Sequence, residues 1–478
     1  MTVLLVTSAV AFLLSLILTP LVRERIGKIA FLDQPNERKV HRQPIPRAGG
    51  IAIAAAIAVA YALAIVMESA AGPGISAQSK YHILQVAPAA LLIFLTGVID
   101  DLAGLNPWVK LSGQLAAAYS AYWYGVRVDT IGGFALPGWL SLATSILWLL
   151  LCTNAVNLID GIDGLAAGVG LFASSTVLIS ALLAGNPTLA IATAPVAAAI
   201  LGFLRYNFNP ATIFLGDSGS LLIGFLLGTY GILWSQKSAT ILGMTAPLMA
   251  LAIPLLDTAL TIIRRFLGHK PIFGADRGHI HHRLLDRGMT PRKAALMLYG
   301  FCGIGAVCSL LVSNSGPLQG NASGIVIIAF CLVTWIGIQH LGYVEFGTAG
   351  RMFVEGAFRR QLASQVHLQA FQKALASSEG PEQTWEAVKK FSGEFGFHRV
   401  KLRIAGKQWE HRAQVEPSTH WVMTVPLGGG DMAEFARGFE LPANGTAMAA
   451  FADEVRRSLS LKREVFANSP KLPLASGF

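Results

Sequence analysis

The sequence predicts an all-α polytopic membrane protein of about eleven transmembrane helices, followed by a small cytoplasmic α+β domain at the C-terminal end. Three observations carry that expectation. The 478-residue chain is 53% hydrophobic and only 13% charged, a membrane-protein balance rather than that of one large water-soluble core. Its apolar residues gather in runs long enough to cross a hydrocarbon layer of ~30 Å. The charge is also uneven: residues 351–478 hold 17 Lys/Arg and 13 Asp/Glu, nearly as many as the 20 and 14 spread over residues 1–350. A boundary therefore falls near 350, separating a membrane part (1–349) from a water-facing part (350–478).

The expected spans are 3–22, 48–67, 83–99, 109–126, 139–156, 166–184, 188–204, 218–234, 241–263, 294–313 and 323–342. The first lacks a basic leader and an A-x-A site, so it reads as a retained helix rather than a signal peptide. Orientation follows from the loops. Those at 23–47 and 264–293, with Lys110 and Arg205 beside two others, carry 17 Lys/Arg; the opposite loops carry only Lys80, Arg127 and Lys237. That contrast puts the first set in the cytoplasm, the N-terminus outside and the tail inside. The net charge of +10 reports these basic loops rather than nucleic-acid binding. Cys152, Cys302, Cys308 and Cys331 lie in apolar runs without metal-like spacing and read as packing residues.

Polar clusters gather at the ends of spans on that cytoplasmic side. "VIDDLAGLNPWVK" brings Asp100 and Asp101 to the end of the third span, and "NAVNLIDGIDGL" closes the fifth. "RYNFNPATIFLGDSGS" joins the seventh to the eighth. "PLLDT" sets Asp257 within the ninth, and "GADRGHIHHRLLDRG" follows it. Carboxylates are costly in or near a bilayer, so their convergence on one side points to one site. Asn154, Asn157, Asp160 and Asp163 recur every three residues, which on a helix makes a slowly drifting stripe.

An oxygen-rich, cysteine-free set suits a hard cation such as Mg²⁺, and the N–H groups around Asp217 in "GDSGS" suit phosphate oxygens. Together with the cations of 264–293, these features indicate phosphoryl transfer at a membrane surface. Plainer readings stand beside them: a solvated helix end for Asp100–Asp101, an N-cap for "GDSGS", helix packing for Asp257 and zinc for "HIHH".

Six motifs taken together, "PRAGGIAI", "VIDD", "NAVNLIDGIDGL", "YNFNPATIFLGDSGS", "PLLDT" and "GHIHHRLLDRG", resemble the polyprenyl-phosphate N-acetylhexosamine-1-phosphate transferases, the group containing MraY, WecA and TagO. The resemblance covers roughly residues 1–347. It implies Mg²⁺-dependent transfer (Mn²⁺ substituting) of a sugar-1-phosphate from a UDP-N-acetylhexosamine to a polyprenyl phosphate, undecaprenyl phosphate in bacteria, with release of UMP. The setting it implies is the bacterial inner membrane, with the site in the cytoplasm, cell-surface polysaccharide as the destination and room for a homodimer.

Carried onto this sequence, the resemblance makes Asp217 the principal metal ligand with Asn157 beside it. Asp100 and Asp101 become the acidic pair, the first a proposed base, and Asp160 and Asp163 organise nucleotide and metal. Phe214 takes the place of an aromatic stacked on uracil, and Asn207 that of a nucleoside-pocket residue. Asp257 belongs to the substrate site. His279, His281, His282 and Arg283 are placed at the sugar or diphosphate. The "HIHH" form is similar to WecA-like enzymes acting on UDP-N-acetylglucosamine rather than to MraY-like phospho-MurNAc-pentapeptide transferases. A secondary transporter and a silent lipid-binding scaffold are the competing classes. Transport is disfavoured because the polar groups lie at one face rather than at the midplane. Retention of both acidic pairs and Asp217 disfavours the scaffold.

The tail carries no catalytic motif. Two helices are expected, over 351–377 and after Pro381, then strands in "HRVKLRIAG", "QWEHRAQ" and "HWVMTVPLG", and a closing helix over 445–465. This is the pattern of a small sensor-like or GAF-like domain with a regulatory, partner-binding or stabilising role.

Overall fold

In lipid every backbone N–H and C=O must be satisfied within the protein, so long apolar runs close as helices. The structure, a computed structural model, describes residues 1–25, 32–33, 44–70, 76–131, 134–235, 251–267, 278–314, 320–340, 357–413, 417–439 and 445–467. Two compact units emerge, Met1–Gly342 and Tyr343–Phe478.

The first unit runs α1 (Thr2–Arg25), α2 (Gly49–Ala70), α3 (Ser76–Ala103), α4 (Pro107–Trp123), α5 (Gly138–Ile159), α6 (Leu165–Leu183), α7 (Pro187–Asn207) and α8 (Gly216–Ser235). It continues with α9 (Ala252–Leu267), the short α10 (Ile280–Asp286), α11 (Pro291–Asn314) and α12 (Gly320–His340). Two-residue antiparallel pairs join Leu32–Asp33 to Ile45–Pro46 and Thr130–Ile131 to Phe134–Ala135.

Among the described residues, 8 helices are long and apolar enough to cross a membrane: α1, α2, α3, α5, α6, α7, α8 and α11. The expected count of eleven is not reached there. The run 109–126 is helical over only 17 residues as α4, and the run 241–263 over 16 as α9, since 241–250 lies outside the described residues. The run 323–342 falls in α12, whose apolar stretch Gly324–His340 is short for a span.

Helix starts follow local chemistry. Asn106 caps α4 by accepting from the Trp108 N–H, with Pro107 in the first turn, and Asn186 and Pro187 do the same for α7. The axis of the bundle is α8: 94% of its apolar window is buried, against 22% for α1. It packs on α3 and α5, while α7 packs on α1 and α6. Small residues set these approaches. A Cβ on Gly224 would lie 2.7 Å from the Cys152 carbonyl, and one on Gly202 would lie 2.7 Å from that of Phe12.

The second unit has α13 (Ala357–Ser377), α14 (Pro381–Glu394), β5 (Arg399–Ile404), β6 (Lys407–Arg412), β7 (His420–Gly428), β8 (Asp431–Gly438), α15 (Gly445–Leu461) and α16 (Arg463–Ala467). Its antiparallel sheet has the order β6-β5-β8-β7. The fourth strand, β8, was not among the sequence expectations, because "DMAEFARG" holds few of the β-branched residues that mark strands. Residues 351–356 of the first expected tail helix lie outside the described residues.

Candidate active site

The end of the bundle that gathers the carboxylates is built where α3, α4 and α5 meet the start of α8. Asp101, near the C-terminal end of α3, accepts the Asp217 N–H on one carboxylate oxygen (2.8 Å) and the Ser218 N–H on the other (2.9 Å). The first turn of a helix has unpaired N–H groups and a positive dipole end, so a carboxylate is well placed there. The expected phosphate cradle of "GDSGS" thus receives the protein's own carboxylate at those two N–H groups. Glycines permit the approach: Cβ atoms on Gly97 and Gly50 would lie 2.5 Å from Ser218 Cα and 2.2 Å from Gly219 N. At Gly216, φ is +75° and a Cβ would meet Asp101 at 2.7 Å.

Held in this way, Asp217 faces two cations and an amide. Lys110 Nζ lies 2.9 Å from Asp217 Oδ1, 2.8 Å from Asp100 Oδ2 and 3.1 Å from Asn157 Oδ1. Three oxygens from three helices converge on one ammonium. The Asn157 amide donates to Asp217 and to Ser220 Oγ, and Arg47 lies 3.4 Å from Asp217 Oδ2. The other Asp100 oxygen accepts the Leu105 N–H at 2.7 Å, closing the turn after α3.

The four-residue stripe expected on α5 does not form, because the helix stops at Ile159 and "DGIDG" turns away. Asn154 pairs its amide with Gln114 of α4, which joins two helices rather than serving the site. Asp160 sits in the turn, its carboxyl raised to about 8 by burial first and then by the nearby Asp217 charge. Asp163 Oδ2 accepts from Asn209 Nδ2 and the Ala211 N–H, both at 2.9 Å, and pins the loop after α7. Buried Asn207 donates to the Ile213 carbonyl at 2.9 Å, bracing that loop from inside. The N–H of half-buried Phe214 binds the Pro46 carbonyl at 2.8 Å, while the carbonyls of Phe214 and Leu215 accept from Gly49 and Gly50 at the start of α2.

Asp257 acts on the histidine segment: one oxygen lies 3.0 Å from His279 Nδ1 and the other accepts the Ile280 N–H at 2.8 Å, capping α10. His281 is buried, neither ring nitrogen has a hydrogen-bond partner among the described residues, and its ring lies 4.3 Å from that of His282. Burial first, then the neighbouring His282 and His279, lower its pKa to about 3, so it is neutral at pH 7. A Cβ on Gly161 would meet His281 Nε2 at 2.3 Å, so the glycine lets the histidine reach the Asp160–Asp163 turn. Arg283 turns its Nε to the Gly278 carbonyl at 3.4 Å.

The structure thus brings Asp100, Asn157 and Asp217 into direct contact through Lys110, with Asp101 behind them and His281 against the adjoining turn. It sets Asp163, Asn207 and Asp257 to hold backbone. Sequence reasoning missed three participants. Lys110 and Arg47 were read as loop charges, although a cation nine residues after "DD" inside an apolar run was a usable signal. Tyr299 of α11, which donates to the Gly164 carbonyl at 2.5 Å, carried no signal.

Among the described residues no three His, Cys, Asp or Glu side chains are close enough to hold a metal ion by themselves. The donors that do converge are all oxygens around one cation position. That chemistry fits a hard divalent ion taking one or two carboxylates and completing its shell with substrate oxygens and water.

Fold and site define a polytopic membrane protein with a compensated carboxylate–lysine cluster at one end of its bundle, an arrangement suited to phosphate chemistry. Comparison with known proteins agrees: residues 83–235 match glycosyl transferase family 4. The chain is 36% identical over 318 residues (64% of this chain, 85% of the relative) to a probable undecaprenyl-phosphate N-acetylglucosaminyl 1-phosphate transferase of Bacillus subtilis. It is 32% identical over 347 residues (66% and 84%) to a decaprenyl-phosphate N-acetylglucosaminephosphotransferase of Mycolicibacterium smegmatis. To the Escherichia coli undecaprenyl-phosphate alpha-N-acetylglucosaminyl 1-phosphate transferase it is 27% identical over 299 residues (60% and 78%). The chain belongs to glycosyl transferase family 4.

Proposed function

We propose that this chain transfers N-acetylglucosamine-1-phosphate from UDP-N-acetylglucosamine to undecaprenyl phosphate at the cytoplasmic face of a bacterial inner membrane. An oxygen of the lipid phosphate attacks the β-phosphorus of the nucleotide sugar, the bond between that phosphorus and the oxygen bridging to the α-phosphate breaks, and UMP leaves. The observation that carries the proposal is the Lys110 ammonium held by Asp100, Asp217 and Asn157, together with relatives named for this reaction. The site's place in the cytoplasm rests on the loop charge asymmetry.

Lys110 and Arg47 supply the positive charge that a diphosphate and a phosphate need when brought together. Asp217 and Asn157 would hold Mg²⁺, or Mn²⁺ in its place, and the ion would neutralise charge on the diphosphate. Asp101 fixes Asp217 through its backbone. Asp100 has both oxygens engaged by Lys110 and the Leu105 N–H, which suits an orienting group better than a base. Little base catalysis is needed, because a phosphate monoester with a second pKa of about 6 is about nine-tenths dianionic at neutral pH. Asp160, Phe214, His281, His282 and Arg283 face the nucleotide sugar, the histidines toward the sugar.

The test is purified protein in detergent with Mg²⁺, undecaprenyl phosphate and a panel of radiolabelled UDP-sugars. Lipid-linked product with stoichiometric UMP, greatest for UDP-N-acetylglucosamine, is expected. Absence of lipid-linked product from every donor overturns the proposal.

A further inference from the structure

We propose that the wall formed by α3 and α4 thins the bilayer beside the candidate site and draws the headgroup plane to the carboxylate–lysine cluster. The partner is the lipid surface itself. The thinning stands on the helices alone, and its use in catalysis rests on the transferase reading above.

Length is the first observation. Helix α4 has only 17 residues, and the expected span 83–99 of α3, bounded by His82 and Asp100, is no longer. At ~1.5 Å per residue each covers about 26 Å, short of a hydrocarbon layer of ~30 Å before any tilt. Helix α5 beside them has 22 residues. The short helix still reaches both ends of α5. Lys110, in its first turn, meets Asn157 near the end of α5, and the Tyr122 hydroxyl donates to the Gly138 carbonyl at the start of α5. It also keeps level with α3: a Cβ on Gly113 would lie 2.5 Å from Thr96 Oγ1, and one on Gly125, just past α4, 2.9 Å from the Gln85 amide.

Aromatic ends are the second observation. Trp108 in the first turn and Trp123 at the last residue are 66% and 72% exposed, and Tyr119 stacks on Trp123. Such rings settle at headgroup level, yet these two tryptophans stand only roughly 22 Å apart along the helix. Exposed Phe134 and Trp139 add to the Trp123 end and fix it at the interface. Between the ends Leu91, Leu95 and Leu115 are exposed, so acyl chains meet this wall.

A span that is too short is accommodated by snorkelling of its flanking polar groups, by oligomerisation or by thinning of the bilayer. Snorkelling is closed at the site end. The Lys110 ammonium is held by Asp100 and Asp217, and Asp100 in turn by the Leu105 N–H. Thinning is what remains for a wall that faces lipid. Its effect falls on the site, because Asp100 and Lys110 themselves end the short stretch. A lipid phosphate then arrives level with Lys110 while its chain stays in the bilayer.

The test uses the full chain in phosphatidylcholine bilayers, with its four cysteines replaced by alanine. Nitroxide labels are introduced one at a time at exposed positions of α4 (Val109, Leu115, Tyr119) and of the longer α1 (Leu5, Leu13, Leu21). Relative accessibility to oxygen and to a water-soluble nickel chelate reads the depth of each label. The hydrocarbon layer along α4 should be thinner than that along α1 by about 4–8 Å. Equal thickness overturns the inference. So does exclusion of both reagents from the α4 labels, which assigns this face to a second copy of the chain. Turnover gives the second readout, in bilayers of increasing acyl-chain length. The KM for undecaprenyl phosphate, as its mole fraction in the bilayer, should rise about threefold or more while that for UDP-N-acetylglucosamine stays constant. A constant acceptor KM, or an equal rise for both substrates, overturns the link to the site. If no bilayer supports lipid-linked product, the transferase reading has failed, and the label depths decide the thinning by themselves.

Discussion

The two units of this chain fold by opposite packing rules. In Met1–Gly342 the closest helix contacts are made by Gly, Ala, Ser and Thr: Ser15 donates to the Ala199 carbonyl at 2.7 Å, and Gly224 rests on Cys152 and Thr153. Between lipid-exposed helices water gives no driving force, so close approach and hydrogen bonds hold them together. In Tyr343–Phe478 the core is aromatic: Phe371, Phe391, Phe395, Phe397, Phe435, Phe451 and Phe466 form one cluster between helices and sheet. There water expels large apolar surface in the ordinary way. The difference sets what a charge costs in each unit. In the tail an exposed charge such as Lys389 is solvated. In the membrane unit a charge at a helix end must be compensated, as Asp217 is by Lys110 and Arg47.

Two lysines put that contrast to the sharpest test. Lys110 joins Asp100 and Asp217, whereas Lys389 of the tail pairs at 3.1 Å with the exposed Glu386 one turn away. Lys110→Met should lower kcat by roughly 10²–10³-fold, since a charge facing the reacting phosphates is lost. Lys389→Met should cost under about 1 kcal/mol of tail stability and leave turnover unchanged. Asp100→Asn should reduce turnover equally at pH 6 and pH 8. A loss confined to the lower pH would restore Asp100 as a base. UMP release, normalised to monodisperse protein, measures the three turnovers, and thermal unfolding of the tail measures the stability change at Lys389.

A smaller effect is expected at Tyr299. Its hydroxyl donates to the Gly164 carbonyl, and its ring lies 6.4 Å from Phe208, over which the Arg292 guanidinium sits at 5.7 Å. Removing one hydrogen bond of about 1 kcal/mol from this clamp should loosen the turn and the loop pinned by Asp163. Tyr299→Phe should therefore raise KM for the UDP-sugar about three- to tenfold with kcat nearly unchanged. A fall in kcat at constant KM would instead place Tyr299 at the chemical step.

How much of this was legible follows from the same contrast. Apolar runs and loop charge announce membrane helices, because lipid imposes length and hydropathy on each segment separately. The acidic motifs were visible for the same reason: Asp100, Asp101 and Asp217 are expensive where they stand. Their division of labour was not. That Asp101 caps α8, that Asp257 holds His279 and that Lys110 bridges three helices depend on which helix ends meet, and local sequence carries no record of that. The stripe expected on α5 failed for a local reason: the helix ends at Ile159, its third member Asp160 is the cap, and left-handed Gly164 (φ +75°) already starts α6. In the tail, β8 escaped because it holds no β-branched residue and its inward face includes the small Ala433 beside Phe435, while its neighbours in the sheet supply the packing.

His281 offers a gentler probe through pH. Its unfolded pKa is about 6.5 and its folded value about 3, so between these limits the unfolded chain binds a proton that the folded chain does not. The contribution to stability is fully present above about pH 6.5 and declines as pH falls toward 3, by at most about 1.4 kcal/mol per unit. The thermal midpoint of the membrane unit should drop less between pH 7 and pH 5 in His281→Gln, which takes up no proton, than in the wild type. Equal drops would mean that His281 titrates in the folded protein near its ordinary value.

The least change in chemistry is expected from removing the whole tail. All the groups placed at the site lie between Arg47 and Tyr299, and the aromatic core of Tyr343–Phe478 closes on itself. A chain stopped near Ala349 should insert, stay monodisperse and keep kcat/KM within about twofold, as expected when the tail has a core of its own. Phe451→Ala, which opens a cavity in the tail worth about 3–5 kcal/mol, should disorder that unit with the same small effect on turnover. Both variants belong in one assay with the wild type, normalised to folded membrane unit. A monodisperse truncation that has lost activity a hundredfold would show that the tail completes the site, and the division between a polar-packed unit that does chemistry and an aromatic-packed unit that does not would be wrong.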